Sequence, residues 1–147
     1  MNHNDDPWVI RTDFSNPSAW EEVCQMITSP QTADNFYANV RLVSDEYWRD
    51  KEPEAILAEL ADDELLFVVD RLCLSDPEHP VLVLGSALVW DEEANDEGLP
   101  PTKFVMFRAL PSTIQAIENN VTIGNMGLEE FADGVDADGV FRCFSDA

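Results

Sequence analysis

Two hydrophobic periods, one of strands and one of helices, take turns along this chain. Trp8-Val9-Ile10-Arg11-Thr12 reads as a short first strand. Asn16-Pro17 then opens a helix, with Asn as N-cap and Pro at the first helical position. Trp20, Val23, Cys24 and Ile27 recur at helical spacing and give that helix one buried stripe, and Pro30 lies just past its stop. Val40-Arg41-Leu42-Val43 is a second short strand. Pro53 opens a second helix with Ile56, Leu57 and Leu60 on one face.

Leu65-Leu66-Phe67-Val68-Val69 is a continuous apolar run ending at Asp70-Arg71, the pattern of a central strand covered on both faces. Asp76-Pro77-Glu78-His79-Pro80 is turn chemistry. Val81-Leu82-Val83-Leu84 is a fourth strand, with a possible continuation past Gly85 to Trp90. Phe104-Val105-Met106-Phe107 is a fifth. Ser112 to Gln115 matches a capping box, and Ile114, Ile117 and Val121 supply that helix's stripe. Asn125 is placed to cap a short last helix with Leu128 and Phe131 inward, and Gly139-Val140-Phe141-Arg142 can add an edge strand.

This order predicts an α/β fold: a mixed, mostly parallel sheet of about five strands, helices on both faces, and an antiparallel hairpin from the fourth and fifth strands. No repeat or linker interrupts it, so residues 1–147 read as a single globular domain. The predicted core includes Trp20, Val23, Ile27, Leu66, Phe67, Val68, Leu82, Val83, Phe104, Val105, Ile114 and Ile117.

Charge narrows the function classes. The 147 residues carry 30 Asp and Glu against 8 Lys and Arg, a net charge of −22. Such a surface repels DNA, RNA and anionic membranes and attracts cationic partners, so neither nucleic-acid nor membrane binding is expected. An aromatic content of 10% excludes a disordered acidic chain. Cys24, Cys73 and Cys143 are odd in number and widely spaced, which argues against a disulfide framework and fits a reducing cytoplasm. The first residues are polar and acidic, unlike a secretory signal. No apolar run approaches the ~20 residues of a membrane-spanning helix.

Several blocks taken together carry a resemblance. They are residues 8–14, 67–71, 77–83, 107–112 and 118–123, followed by Asn125-Met126-Gly127-Leu128-Glu129-Glu130-Phe131-Ala132. In these blocks the chain resembles an uncharacterised family of small acidic bacterial proteins known only as a domain of unknown function. The last block is the most specific. Residues 33–63 and 91–98 are less similar. The resemblance brings no catalytic residue, ligand or partner with it.

Arginine gives the sharpest candidate site. Cations are few, yet Arg11, Arg71 and Arg108 each fall at the end of a predicted strand, with Asp13 and Asp70 beside two of them. In open α/β sheets ligands bind outside the carboxyl ends of strands, and an arginine fork suits a carboxylate or phosphate. The plainer reading is a structural Arg–Asp network tying strand ends to helix caps. Arg108 enters only if its strand runs with the others.

Other motifs carry less. His79 with Glu78 could do acid–base work, although a turn histidine is usually idle. Cys24 lies on a helical apolar stripe, and nothing marks a nucleophile among the cysteines. Asp133 to Gly139 has a superficial likeness to a calcium loop, but Val135 falls where a ligand belongs and no glutamate closes the loop. The sequence nominates no catalytic residue, no metal ligand and no cofactor.

Two functional classes remain. The first is a non-enzymatic acidic protein that docks a cationic protein partner, in the manner of an inhibitor, immunity protein or DNA mimic. Its patch would be the acidic loop with Asp91, Glu92, Glu93, Asp96 and Glu97, and its aromatic anchor Tyr47-Trp48. The second is a binding domain or small enzyme for an anionic small molecule, with its site at Arg11, Asp13, Asp70, Arg71 and Arg108.

Overall fold

The computed structural model describes residues 6–29, 38–60, 65–88, 102–122 and 127–142. Strand β1 (Trp8–Arg11) leads to helix α1 (Pro17–Thr28), where the Asn16 side chain accepts the Ala19 N–H at 3.1 Å. Strand β2 (Arg41–Val43) is followed by a single 3-10 turn (Glu46–Trp48) and helix α2 (Pro53–Glu59). Strand β3 (Leu65–Val69) runs straight into helix α3 (Arg71–Ser75), which Asp70 caps by accepting the Cys73 N–H at 3.1 Å. Strands β4 (Val81–Leu88) and β5 (Thr102–Ala109) pair over their full length. A 3-10 turn (Pro111–Thr113) precedes helix α4 (Ile114–Thr122). Helix α5 (Leu128–Asp133) and strand β6 (Val140–Phe141) follow.

The six strands form one sheet in the order β2-β1-β3-β4-β5-β6. β1 pairs parallel with β2 and β3, and β6 pairs parallel with β5. β4 is antiparallel to both β3 and β5. β4 therefore runs alone against the rest, and the carboxyl ends of β1, β3 and β5 share one edge. Two crossovers leave β1 with β2 on one side and β3 on the other. The first passes through α1, the second through α2 on the opposite face. The crevice between the ends of β1 and β3 is thus a topological switch point.

Alternation along the strands sorts side chains into two cores. Val9, Phe67, Val69, Val81, Val83, Val105 and Phe107 face α1, α3, α4 and α5. Ile10, Leu66, Val68, Leu82 and Leu84 face Ile56 of α2 and Trp48. All five residues of β3 are buried, as a strand covered on both faces requires. Each of these side chains contributes roughly 1.5–3 kcal/mol by leaving water.

Several local expectations change. A short helix, α3, occupies the segment after the apolar run. α4 begins after a 3-10 turn rather than at Ser112, and the cap of α5 is Gly127, whose N–H is accepted by Glu130 at 2.8 Å. Asn125 lies outside the described residues. Phe104, expected in the core, is 39% exposed. It lies on the α2 face, where among the described residues one seven-residue helix is the helical cover. A helix ~10 Å wide spans about two strands spaced ~4.8 Å apart, so it does not reach β5. Among the described residues no helix is long and apolar enough to cross a membrane.

Candidate functional site

Strand alternation decides which predicted residues meet at the switch point. Arg11 follows Val9 onto the α1 face and is buried there. Its Nε donates to the Asp13 carbonyl at 3.2 Å and one terminal nitrogen to Ser44 Oγ at 3.2 Å. The guanidinium lies 4.4 Å from the Phe14 ring centre and 5.4 Å from that of Trp20. Arg11 therefore ties the ends of β1 and β2 together and does not line the crevice, contrary to its place in the predicted site.

Thr12, Asp13, Asp70 and Arg71 do line it, at the ends of β1 and β3, with Val68 and Leu82 as floor. The wall opposite is Asp50, Lys51, Glu52 and Pro53, between the 3-10 turn and α2. The Asp50 N–H donates to the Thr12 carbonyl at 2.9 Å, which fixes this wall to the end of β1. Asp50 takes a left-handed backbone, φ 58°, which Asp tolerates better than most residues. The cleft encloses about 310 Å³.

Asp70 holds the centre. Besides capping α3, its two carboxylate oxygens accept from Arg108 at 3.0 and 2.7 Å. Arg108 also donates to the Pro80 carbonyl at 3.1 Å. Since β5 runs parallel to β3, Arg108 does reach the same edge, and it enters as the partner of Asp70. Arg71 is exposed at the first position of α3 and makes no ion pair among the described residues. Ser15 donates its hydroxyl and its N–H, the latter at 2.9 Å, to Asp13 Oδ1. These bonds, aided by Arg71 and Arg11, hold the Asp13 carboxyl below its ordinary 3.8, so it is ionised at neutral pH.

A second groove of about 430 Å³ adjoins the first. Glu52, Pro53, Asp70 and Leu82 line both. Met106, Arg108 and Asp138 extend the second toward β5 and β6.

The predicted aromatic anchor is corrected. Trp48 is only 7% exposed and packs edge-on to Trp8, with ring centres 6.5 Å apart, within the second core. Its indole fills space between β1 and α2, so it is not available to a partner. Tyr47 is exposed, but its hydroxyl donates to Glu59 and Lys51 lies 4.2 Å from its ring centre. Asp91, Glu92, Glu93, Asp96 and Glu97 lie outside the described residues.

The other motifs are engaged structurally. The His79 side chain is largely buried, with Nδ1 2.9 Å from the Cys73 carbonyl and Nε2 3.4 Å from Glu22. Glu78, Asp136 and Asp138 all close on Arg142 at 2.7–2.8 Å, so an arginine occupies the loop that superficially suits calcium. Among the described residues no group of three or more His, Cys, Asp or Glu side chains is arranged to hold a metal ion. Burial pushes the Cys24 thiol up to about 11 and that of Cys73 to about 12, which makes both poor nucleophiles.

Asp50, Lys51, Glu52 and Leu72 also line the cleft, although no motif in the sequence marks them. One signal could have found the first three: they lie between a parallel strand and the proline that opens the next helix, where loops line the carboxyl edge of a sheet.

A search of curated proteins returned no match to the chain. The family described as a domain of unknown function, DUF6924, matches residues 6–144. The chain therefore belongs to that family, as the blocks along the sequence led us to expect.

Proposed function

We propose that this chain is a non-enzymatic acidic interaction protein that docks a cationic protein partner, with the switch-point cleft receiving one of its basic side chains. One observation carries the reading. Where an α/β sheet ordinarily takes its ligand, and with Asp70 already matched by Arg108, the lining carboxylates Asp13, Asp50 and Glu52 still outnumber Lys51 and Arg71. Lys51 is moreover engaged by Glu59 at 3.0 Å. The local charge thus has the same sign as the net −22 of the chain. At about 310 Å³ the cleft is at the lower bound of small-molecule sites, enough for one long side chain. A single exposed ion pair is worth ~0–1 kcal/mol, so binding needs several at once.

A second reading rests on Arg71, whose guanidinium makes no ion pair among the described residues and suits a small anion. The surrounding carboxylates oppose it, and screening confines its pull to about 8 Å at physiological salt. One experiment separates the two. A fluorescent peptide of alternating lysine and glycine is titrated into the protein and into Asp50→Asn/Glu52→Gln, and thermal melts are run with inorganic phosphate. The cationic reading expects peptide binding that weakens in the double variant. Phosphate stabilisation that disappears in Arg71→Gln, with no peptide binding, would replace it with the second.

A further inference from the structure

We infer that the open face of β5 beside the cleft is the apolar centre of the docking surface, and that it takes an apolar side chain flanked by basic ones on the partner. This rests on the cationic-partner reading and adds where the apolar contact is made. Alternation along β5 divides its side chains between two faces. Val105 and Phe107 are buried on the helix-covered face, while Met106 and Phe104 point to the α2 face and stay 47% and 39% exposed. Directly across β4, Leu84 pairs with Met106 and is fully buried. The core therefore runs out into solvent at β5 instead of ending at a polar residue.

This bare surface is continuous with the cleft. Met106 shares its groove with Pro53 and Leu82, which also line the cleft, and Leu72 stands 49% exposed on the cleft's far side. Pro53 and Met106 thus carry apolar surface from the cleft to β5, where Phe104 continues it on the same face, with Glu52 and Asp138 beside the groove. Arg108 lines the same groove, but its charge is matched by Asp70.

Charge selects the occupant. A second copy of this chain would bring a further −22, and an anionic membrane would be repelled in the same way. A cationic segment is attracted. Exposed ion pairs alone give little affinity, so a buried apolar contact is what converts attraction into a lasting complex. Methionine is suited to it, being unbranched and adaptable to unlike partners.

The test uses the full chain labelled with nitrogen-15 and two peptides. One alternates lysine and glycine; the other replaces two of its glycines with leucine. The leucine peptide is expected to bind about tenfold tighter, as burial of an apolar side chain predicts. Its amide shifts should cluster at residues 104–108 and 50–52, and its advantage should vanish in Met106→Ser. Phe104→Ser is a second exposed variant, and melts of both report folding. If the leucine peptide gains nothing, or keeps its gain in both variants, the inference falls and the cationic reading stands. If neither peptide binds, both fall. Concentration-dependent dimerisation lost in Met106→Ser would assign the face to a second copy and overturn the inference.

Discussion

Asp70 joins three elements, and its removal should show as coupled losses. Its Oδ1 caps α3 by accepting the Cys73 N–H, and its two oxygens grip Arg108 of β5. Loss of the cap costs about 1 kcal/mol. Loss of a charge-assisted pair that also leaves Arg108 unmatched costs ~1.5–3 kcal/mol. The side chains of Arg108 and Asp70 are 20% and 27% exposed, so the lower part of that range applies. Asp70→Ala should therefore lose about 3 kcal/mol. At about 2–4 °C per kcal/mol for a chain near this size, the melting temperature should fall by about 6–12 °C. Arg108→Met should lose less, because Asp70 keeps its cap. In a double-mutant cycle by urea denaturation the two should couple by ~1 kcal/mol. Strict additivity, or an Arg108→Met as costly as Asp70→Ala, would refute the reasoning.

Three further outcomes follow from the contacts. Arg142 holds the carboxyls of Glu78 and Asp138 below their ordinary 4.5 and 3.8, chiefly through hydrogen bonds. Folded-state values that are depressed give stability present above the unfolded values and lost as pH falls through the folded ones. The urea midpoint of Arg142→Gln should therefore lie below that of wild type at pH 7, and the gap should close only as pH falls beneath the ordinary carboxylate values and through the lower folded ones. With thiols raised to about 11 and about 12, Cys24 and Cys73 should resist iodoacetamide at pH 8 in the native protein and react once unfolded, read by site-resolved mass spectrometry. Glu118, 4% exposed, accepts the Asn39 N–H at 2.7 Å and the Thr122 hydroxyl at 3.1 Å. Glu118→Ala should cost ~1–3 kcal/mol and speed hydrogen exchange at Asn39.

The sequence revealed most of the architecture because most elements state their period. The Trp20, Val23, Ile27 stripe has the helical period, and the β3 run is read as a strand from its five-residue length and its Phe and Val content. α3 was not legible, since five residues make barely more than one helical turn and show no periodicity. Phe104 was misread because alternation tells which face a residue takes, not how far the cover on that face extends. Trp48 was misread for the converse reason: a polar neighbourhood in sequence hid the apolar wall of Trp8 and Ile56 that folding brings to it. The site was half legible. Asp13, Asp70 and Arg71 follow from strand ends alone. Arg108 required the direction of β5, which depends on two antiparallel pairings. Arg11 failed because, as the last residue of β1, it shares the face of Val9 and turns under α1 instead of into the crevice.

The central claim is that a negative surface recruits a basic partner, and its most direct test is the salt dependence of association. Stopped-flow association of the leucine-containing lysine peptide can be followed from about 0.01 M to about 1 M salt, over which the Debye length contracts from about 30 to about 3 Å. The association rate should fall steeply across that range, while dissociation changes little. An association rate indifferent to salt would contradict the claim.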